Sequence, residues 1–308
     1  MSTADKVREL AGIITEALTP LVNDDYYLLE CPYYGNIGDT LIWQGEIDFL
    51  KSVPHTCKGM HGIQTLPIDQ LDKARLVLFQ GGGNFGDLWT EHQKMKFDVM
   101  KRYPNYQYIF LPVTTHYESK DNLQNDADFL AHFDVTLCAR DNVSYQFLKL
   151  HFKNPVILLP DMAFCIEPRR LKRRMMAYKD LLIRREDKEF KSYPLLNELE
   201  KHHDIDIMDW PTFSPTDQYY LTINRLTYRA NKRVADWYCR HIFKRYLINT
   251  GINIIASHRT IYSTRLHAAI LSILMGKENI IFFDNSYGKN SNYYDTWLSD
   301  CEAVQMIR

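Results

Sequence analysis

The residues best suited to chemistry lie near the end of the chain, in Ser263-Thr264-Arg265-Leu266-His267-Ala268-Ala269-Ile270-Leu271, where a strand-like run gives way to an apolar helix. The first turn of a helix has N–H groups without intrahelical partners, and its dipole adds roughly half a positive charge, so an anion placed there is stabilised twice. Arg265 offers a planar fork that fits phosphate or carboxylate, and His267 can donate a hydrogen bond or move a proton near neutral pH. The stretch reads as an anion-handling centre, although a surface arginine and a satisfied histidine would open an ordinary helix in the same way.

Two glycine-bearing segments offer an opposing wall. The apolar run Tyr26 to Cys31 is followed by Gly35-Asn36-Ile37-Gly38-Asp39-Thr40 and a helix from about Leu41 to Leu50, with Asp39 or Thr40 expected to cap it. A second strand, Arg75 to Gln80, leads into a loop, Gly81-Gly82-Gly83-Asn84-Phe85-Gly86-Asp87. Three consecutive glycines cost backbone entropy, which close approach of a ligand or a neighbouring loop would explain. Neither segment ends in the Lys-Ser/Thr of a P-loop or fits G-x-G-x-x-G, which demotes ATP and dinucleotide readings. Arg140 sits at a strand-to-helix junction as Arg265 does, so it is expected at the ligand edge of a sheet or, alternatively, in a surface capping pair with Asp141. Asp161 places a carboxylate at the end of the strand Val156 to Leu159.

The elements that must position these residues alternate strand and helix. A helix over 5–18, expected to pack on the first domain, precedes the two units above. Strands at Tyr106 to Leu111 and Val135 to Ala139 flank a loop at Pro112 to His116, and a helix covers Tyr145 to His151. A second series follows: strands 181–183 and 205–208, a helix 195–203, a Trp210-Pro211 turn, a broad helical region 214–247, strands 252–256, 260–263 and 279–283, and the loop Asp284 to Lys289. At 308 residues, two domains are expected: 1–166, a basic linker 167–177, and 178–308.

Composition bounds the partners. Hydrophobic residues are 45% and aromatics 13%, a globular balance, and 37 basic against 38 acidic residues give a net charge of -1, so no overall field draws nucleic acid. The six cysteines are scattered without metal-like or disulfide-like spacing, which points to reduced thiols, no bound metal and a cytoplasmic setting. The N-terminus lacks a secretory pattern, and no run of ~18 apolar residues occurs. Arg169-Arg170-Leu171-Lys172-Arg173-Arg174-Met175-Met176 departs from the even charge and leaves room for peripheral contact with an anionic membrane through 169–176.

In order along the chain, Gly35-Asn36-Ile37-Gly38-Asp39, Gly81-Gly82-Gly83-Asn84, Arg140-Asp141-Asn142-Val143-Ser144, Pro160-Asp161, Thr264-Arg265-Leu266-His267 and Tyr287-Gly288-Lys289 resemble the polysaccharide pyruvyl transferase family over about residues 30 to 298. The fold class expected is α/β, two Rossmann-like domains with parallel sheets facing across a cleft, as in GT-B glycosyltransferases. The resemblance implies transfer of the enolpyruvyl group of phosphoenolpyruvate onto a sugar, forming a pyruvate ketal, with phosphoenolpyruvate as donor substrate and no cofactor. It further implies donor binding by Arg140, Arg265, His267, Gly82, Gly83, Asn84 and Lys289. Gly35, Asn36, Gly38 and Asp161 fall on the acceptor or cleft side. His267 is the candidate proton donor or phosphate contact, Arg265 supports the developing charge, and Asp39 is the candidate base, with Asp161 as a structural alternative. The acceptor implied is a repeat unit of capsule or exopolysaccharide on a lipid carrier. A nucleotide-sugar glycosyltransferase using the same cleft and a non-enzymatic sugar-binding protein are the competing readings.

Overall fold

The computed structural model describes residues 1–173, 177, 179–187, 190–210 and 214–308. Arg174, Met175 and Met176 of the basic stretch, and Pro211 of the expected turn, lie outside them.

Short apolar runs build two parallel sheets. The first holds β1 (Tyr26–Leu29), β2 (Cys57–His61), β3 (Leu76–Phe79), β4 (Gly82–Gly86), β5 (Gln107–His116), β6 (Asp134–Ala139) and β7 (Val156–Leu158) in the order β2-β1-β3-β5-β6-β7, with β4 paired to β5. The second holds β8 (Lys179–Ile183), β9 (Ile205–Met208), β10 (His258–Ser263), β11 (Ile280–Phe283) and β12 (Val304–Ile307) in the order β12-β11-β10-β8-β9. The helices are α1 (Thr3–Leu18), α2 (Ile37–Leu50), α3 (Thr90–Arg102), α4 (Lys120–Leu130), α5 (Asn142–His151), α6 (Pro168–Leu171), α7 (Pro194–Leu199), α8 (Pro215–Ala230), α9 (Lys232–Tyr238), α10 (Lys244–Ala256), α11 (Leu266–Leu274) and α12 (Lys289–Tyr293).

Alternation along each strand divides the core. Leu28, Leu78, Leu181, Ile183, Ile261 and Phe282 belong to one buried cluster that also contains residues of α1, α2, α10 and α11, so those helices are packed between the two sheets. Side chains one position along, Leu29, Val77 and Phe79, face the opposite side of the first sheet, and Leu182 and Phe283 that of the second. The helix α2 is buried on nearly all faces, as expected of an element with apolar neighbours on each side.

Several expectations are corrected. The glycine run is not a free loop: Gly82–Gly86 is a strand lying along the outer half of β5, and residues 112–116 are part of β5 rather than a loop. A Cβ on Gly81 would lie 2.6 Å from Pro112 O and one on Gly86 1.8 Å from His116 O, so these glycines permit close strand approach. The cap of α2 is Asn36, whose side chain accepts from Asp39 N–H, so the helix begins at Ile37 and not near Leu41. Residues 252–256 are helical, because Ile248, Ile252 and Ile255 continue the buried face of α10 at helical spacing and tertiary packing overrides their β-branched preference. Helix α1 packs on residues 162–165 of the first series, as expected, and also on α11, with Lys6 Nζ 2.6 Å from Asp300, so it joins the central helical layer.

The docking of α2 can be tested at Gly45. A Cβ there would lie 1.8 Å from Met162 O, a backbone atom that cannot swing away. Gly45→Ala is expected to cost about 3 kcal/mol or more in urea denaturation, at the upper end of overpacking effects.

Candidate active site

Both sheets reverse their strand order at one point, and side chains from both reversals line one cavity. In the first sheet β1 lies between β2 and β3; in the second β8 lies between β9 and β10. Successive connections leave these points in opposite directions and open a crevice at the strands' carboxyl ends. Asn36, Gly38 and Asp39 follow β1, Gly81, Gly83 and Asn84 follow β3, Arg185 and Asp187 follow β8, and Arg265, Leu266 and His267 follow β10; all of these line a cavity of ≈ 430 Å³. Tyr34, Trp89, His92, Thr114, His116, Tyr287 and Lys289 are also in its wall.

His267 is fixed from behind. Its Nε2 lies 3.2 Å from Asp161 Oδ2, the same oxygen that accepts from Arg140 Nη1 at 2.8 Å. Burial works to raise the Asp161 pKa, but His267 and then Arg140 outweigh it and hold the carboxyl well below the ordinary carboxylate range. A carboxylate can only accept, so the proton in the His267 contact belongs to Nε2 and Nδ1 is the atom left for exchange. Nδ1 faces Gly38, where a Cβ would come within 2.5 Å of it.

The arginines divide into two kinds. Arg140 is 0% exposed and does not reach the cavity. Its Nε and Nη2 donate to Thr114 Oγ1 and its Nη1 to Asp161, so it is neither an open anion contact nor a surface cap to Asp141. Arg265, the residue before α11, does line the cavity, and Asp209 takes its Nε and Nη2 at 2.6 and 2.7 Å. Arg185 makes the same two-point contact with Asp187, at 2.8 and 2.9 Å.

On the opposite wall, Asp39 Oδ2 accepts from the Tyr34 hydroxyl at 2.9 Å and Asn36 Nδ2 at 2.8 Å. Gly82 and Gly86, at φ 120, hold a backbone that other residues rarely adopt, and a Cβ on Gly83 would lie 3.2 Å from Lys289 Nζ. Thus Gly83, Asn84, Lys289, Arg265, His267, Asp39, Asn36 and Gly38 meet at one cavity, whereas Arg140 and Asp161 stand behind it and Gly35 packs on Leu221.

Sequence reasoning did not single out Arg185 or the His92 cluster. Arg185 was legible by the rule applied to Arg265, as it closely follows a buried strand. Glu30 is a carboxylate within an apolar run and takes φ 71, a costly backbone for a non-glycine residue. Its Oε1 meets Lys96 Nζ at 2.8 Å, His92 Nδ1 at 2.6 Å and Asn84 Nδ2 at 2.7 Å. A second carboxylate-held histidine therefore lines the cavity, and nothing local in α3 announces it.

Removing Asp161 strands a buried guanidinium, so Asp161→Ala is expected to lose about 3–5 kcal/mol of unfolding free energy. Because the folded pKa lies below the ordinary 3.8, this stabilisation is complete above that range and lost as pH falls through and below it. Urea titrations of both proteins between neutral and acid pH should show the gap between them closing toward acid.

The sequence profile described as polysaccharide pyruvyl transferase matches residues 36–287. EpsO of Bacillus subtilis (strain 168), which bears a provisional pyruvyl transferase name, is 31% identical over all of this chain and 94% of its own length. "Pyruvyl transferase 1" of Schizosaccharomyces pombe is 30% identical, over 78% of this chain and 58% of its own. A solved structure of the uncharacterized protein KP1_0663 from Klebsiella pneumoniae has the same fold, with a TM-score of 0.65 at 19% identity over 97% of this chain and 98% of that one. With motifs, profile and the near full-length match to EpsO in agreement, this chain belongs to the polysaccharide pyruvyl transferase family.

Proposed function

We propose that this protein moves the enolpyruvyl group of phosphoenolpyruvate onto two hydroxyls of a sugar in a lipid-linked repeat unit of capsule or exopolysaccharide. The observation that carries the reading is the meeting of Arg265, His267 and Lys289 with the first turns of α2 and α11 around one cavity. The donor has a phosphate and a carboxylate close together, and cationic side chains with helix N-termini suit both.

In the overall reaction the methylene carbon gains a proton, two C–O bonds form to the sugar oxygens, and the bond from the central carbon to the phosphate oxygen breaks. Of the two hydroxyl protons, one balances the new methyl group and the other leaves with phosphate. His267, oriented through Nε2, gives or holds a proton at Nδ1, and Arg265 supports charge as it develops. Arg140 acts through Asp161 as a positioning residue. Asp39 lies on the acceptor side with Asn36 and Gly38. Residues 1–166 and 178–308 are read as two Rossmann-like domains in a GT-B-like arrangement, joined by 167–177, whose closure would exclude water. A location at the cytoplasmic membrane face, with contact through 169–176, suits a lipid-borne acceptor; no helix among the described residues is long and apolar enough to cross a bilayer.

Phosphate release from phosphoenolpyruvate, assayed against lipid-linked mono- and disaccharides, tests the chemistry. Arg265→Ala and His267→Gln should each lower kcat/KM about 10²- to 10³-fold; activity within a few-fold of wild type for Arg265→Ala would overturn the assignment. A thermal-shift comparison tests the donor. Phosphoenolpyruvate at 100 times its Kd should add ~2.7 kcal/mol of stability, and stabilisation by a nucleoside diphosphate alone would favour a glycosyltransferase instead.

A further inference from the structure

The helices α8 and α9 form a hairpin whose surface differs from the rest of the chain. Between Ser214 and Ala256 there are seven Lys or Arg residues and two acids, Asp217 and Asp236, in a protein whose net charge is -1. Both acids are buried. Asp236 accepts from Thr65 Oγ1 at 2.7 Å and lies 2.9 Å from His61 Nδ1, and Asp217 accepts from the Tyr246 hydroxyl at 2.5 Å. The exposed charge of this region is therefore cationic throughout.

Asn231 ends α8 and caps α9, and the chain then folds back on itself. The Tyr238 hydroxyl donates to Tyr220 O at 3.1 Å, and Cys239 Sγ meets Asn224 Oδ1 at 3.1 Å, which leaves the hairpin tip at Asn231. Residues 229–233 are all exposed and include Arg229, Lys232 and Arg233. Leu226 lies within a turn before them, and Val234 and Trp237 follow within a turn or so, at 54%, 47% and 55% exposure.

Large apolar side chains interleaved with cations, and no exposed acid among them, match a surface that is anionic at its headgroups and apolar beneath. Tryptophan settles at that boundary, and basic residues are drawn to anionic lipid. The hairpin is also continuous with the cavity wall. Leu221 packs on Gly35, and Asn224 Nδ2 donates to Tyr33 O at 2.8 Å, next to Tyr34 and Asn36 of the cavity. By contrast, the cations of the 169–173 stretch are partly neutralised, Arg169 by Glu167 and Arg170 by Asp48.

We propose that the tip of the α8–α9 hairpin docks the protein on an anionic phospholipid surface. This extends the reading of a lipid-borne acceptor, but its test does not depend on that reading. Full-length protein should float with vesicles of phosphatidylcholine mixed with phosphatidylglycerol, and not with phosphatidylcholine alone. The combined substitutions Lys232→Glu, Arg233→Glu and Trp237→Ser should lower the bound fraction about tenfold, while leaving the urea midpoint and phosphate release with a water-soluble acceptor unchanged. No flotation with the anionic vesicles, undiminished flotation of the variant, or capture by single-stranded nucleic acid without vesicle binding would overturn the proposal. Flotation without phosphate release from any acceptor would sink the pyruvyl transfer reading and leave the docking surface standing.

Discussion

One carboxylate oxygen, Asp161 Oδ2, couples the two sheets beneath the cavity. It accepts from Arg140, at the end of β6, and from His267, in the first turn of α11. Both arms are buried or nearly so, with side-chain exposures of 0% for Arg140 and 14% for His267. The Asp161 N–H donates to the Tyr293 hydroxyl at 3.0 Å, and Trp297 Nε1 donates to Arg140 O at 2.8 Å, so groups after α11 also close on this point. A buried ion pair is weak evidence for stability, because apolar side chains of similar volume often serve as well. What this one supplies is orientation: it fixes which histidine nitrogen carries a proton and where the other faces.

The topology explains why that orientation is available here. A parallel sheet brings all its strand ends to one edge, and a reversal of order frees two neighbouring ends from a crossing connection. Each sheet does this once around its first strand. Thr264 N–H donates to Ile183 O, and Asn290 Nδ2 donates to Thr264 O and Phe283 O, so the ends of β8, β10 and β11 are tied together just below Arg265. In the first sheet, Gly81 N–H donates to Glu46 Oε1, which anchors the start of the glycine run to α2. The site is thus held by regular elements on both sides, and its precision comes from sheet register more than from loop conformation.

Much of this was legible because short-range rules suffice for it. Parallel strands, the helix start at Arg265-Leu266-His267 and the likeness of six short motifs to one family all follow from local pattern. Where the sequence misled, long-range contact decided. Gly81–Asp87 reads as a loop, yet its glycines serve an approach to β5 that no local rule exposes. Ile252 to Ala256 reads as strand, yet it completes a helix face. Arg140 follows the same strand-end rule as Arg265 and points elsewhere, since Thr114 and Asp161 enclose it. Glu30 with His92 joins residues 62 positions apart, a separation that periodicity does not reach.

That last pair gives the cavity a second oriented imidazole. Asp39 lines the cavity too, but one of its oxygens, Oδ2, already accepts two hydrogen bonds, from Tyr34 and Asn36. His92 is held at Nδ1 by Glu30, whose own second oxygen has no hydrogen-bond partner among the described residues. Glu30 is kept in a left-handed backbone by Lys96 and Asn84, and such strain persists where surrounding contacts over-determine it, as at active sites. Two histidines, each fixed by a buried carboxylate, therefore line one cavity, His267 beside the helix N-terminus and His92 beside Asn84. Their carboxylate partners come from different places in the first sheet, Glu30 after β1 and Asp161 after β7, so the two rings are oriented independently of each other.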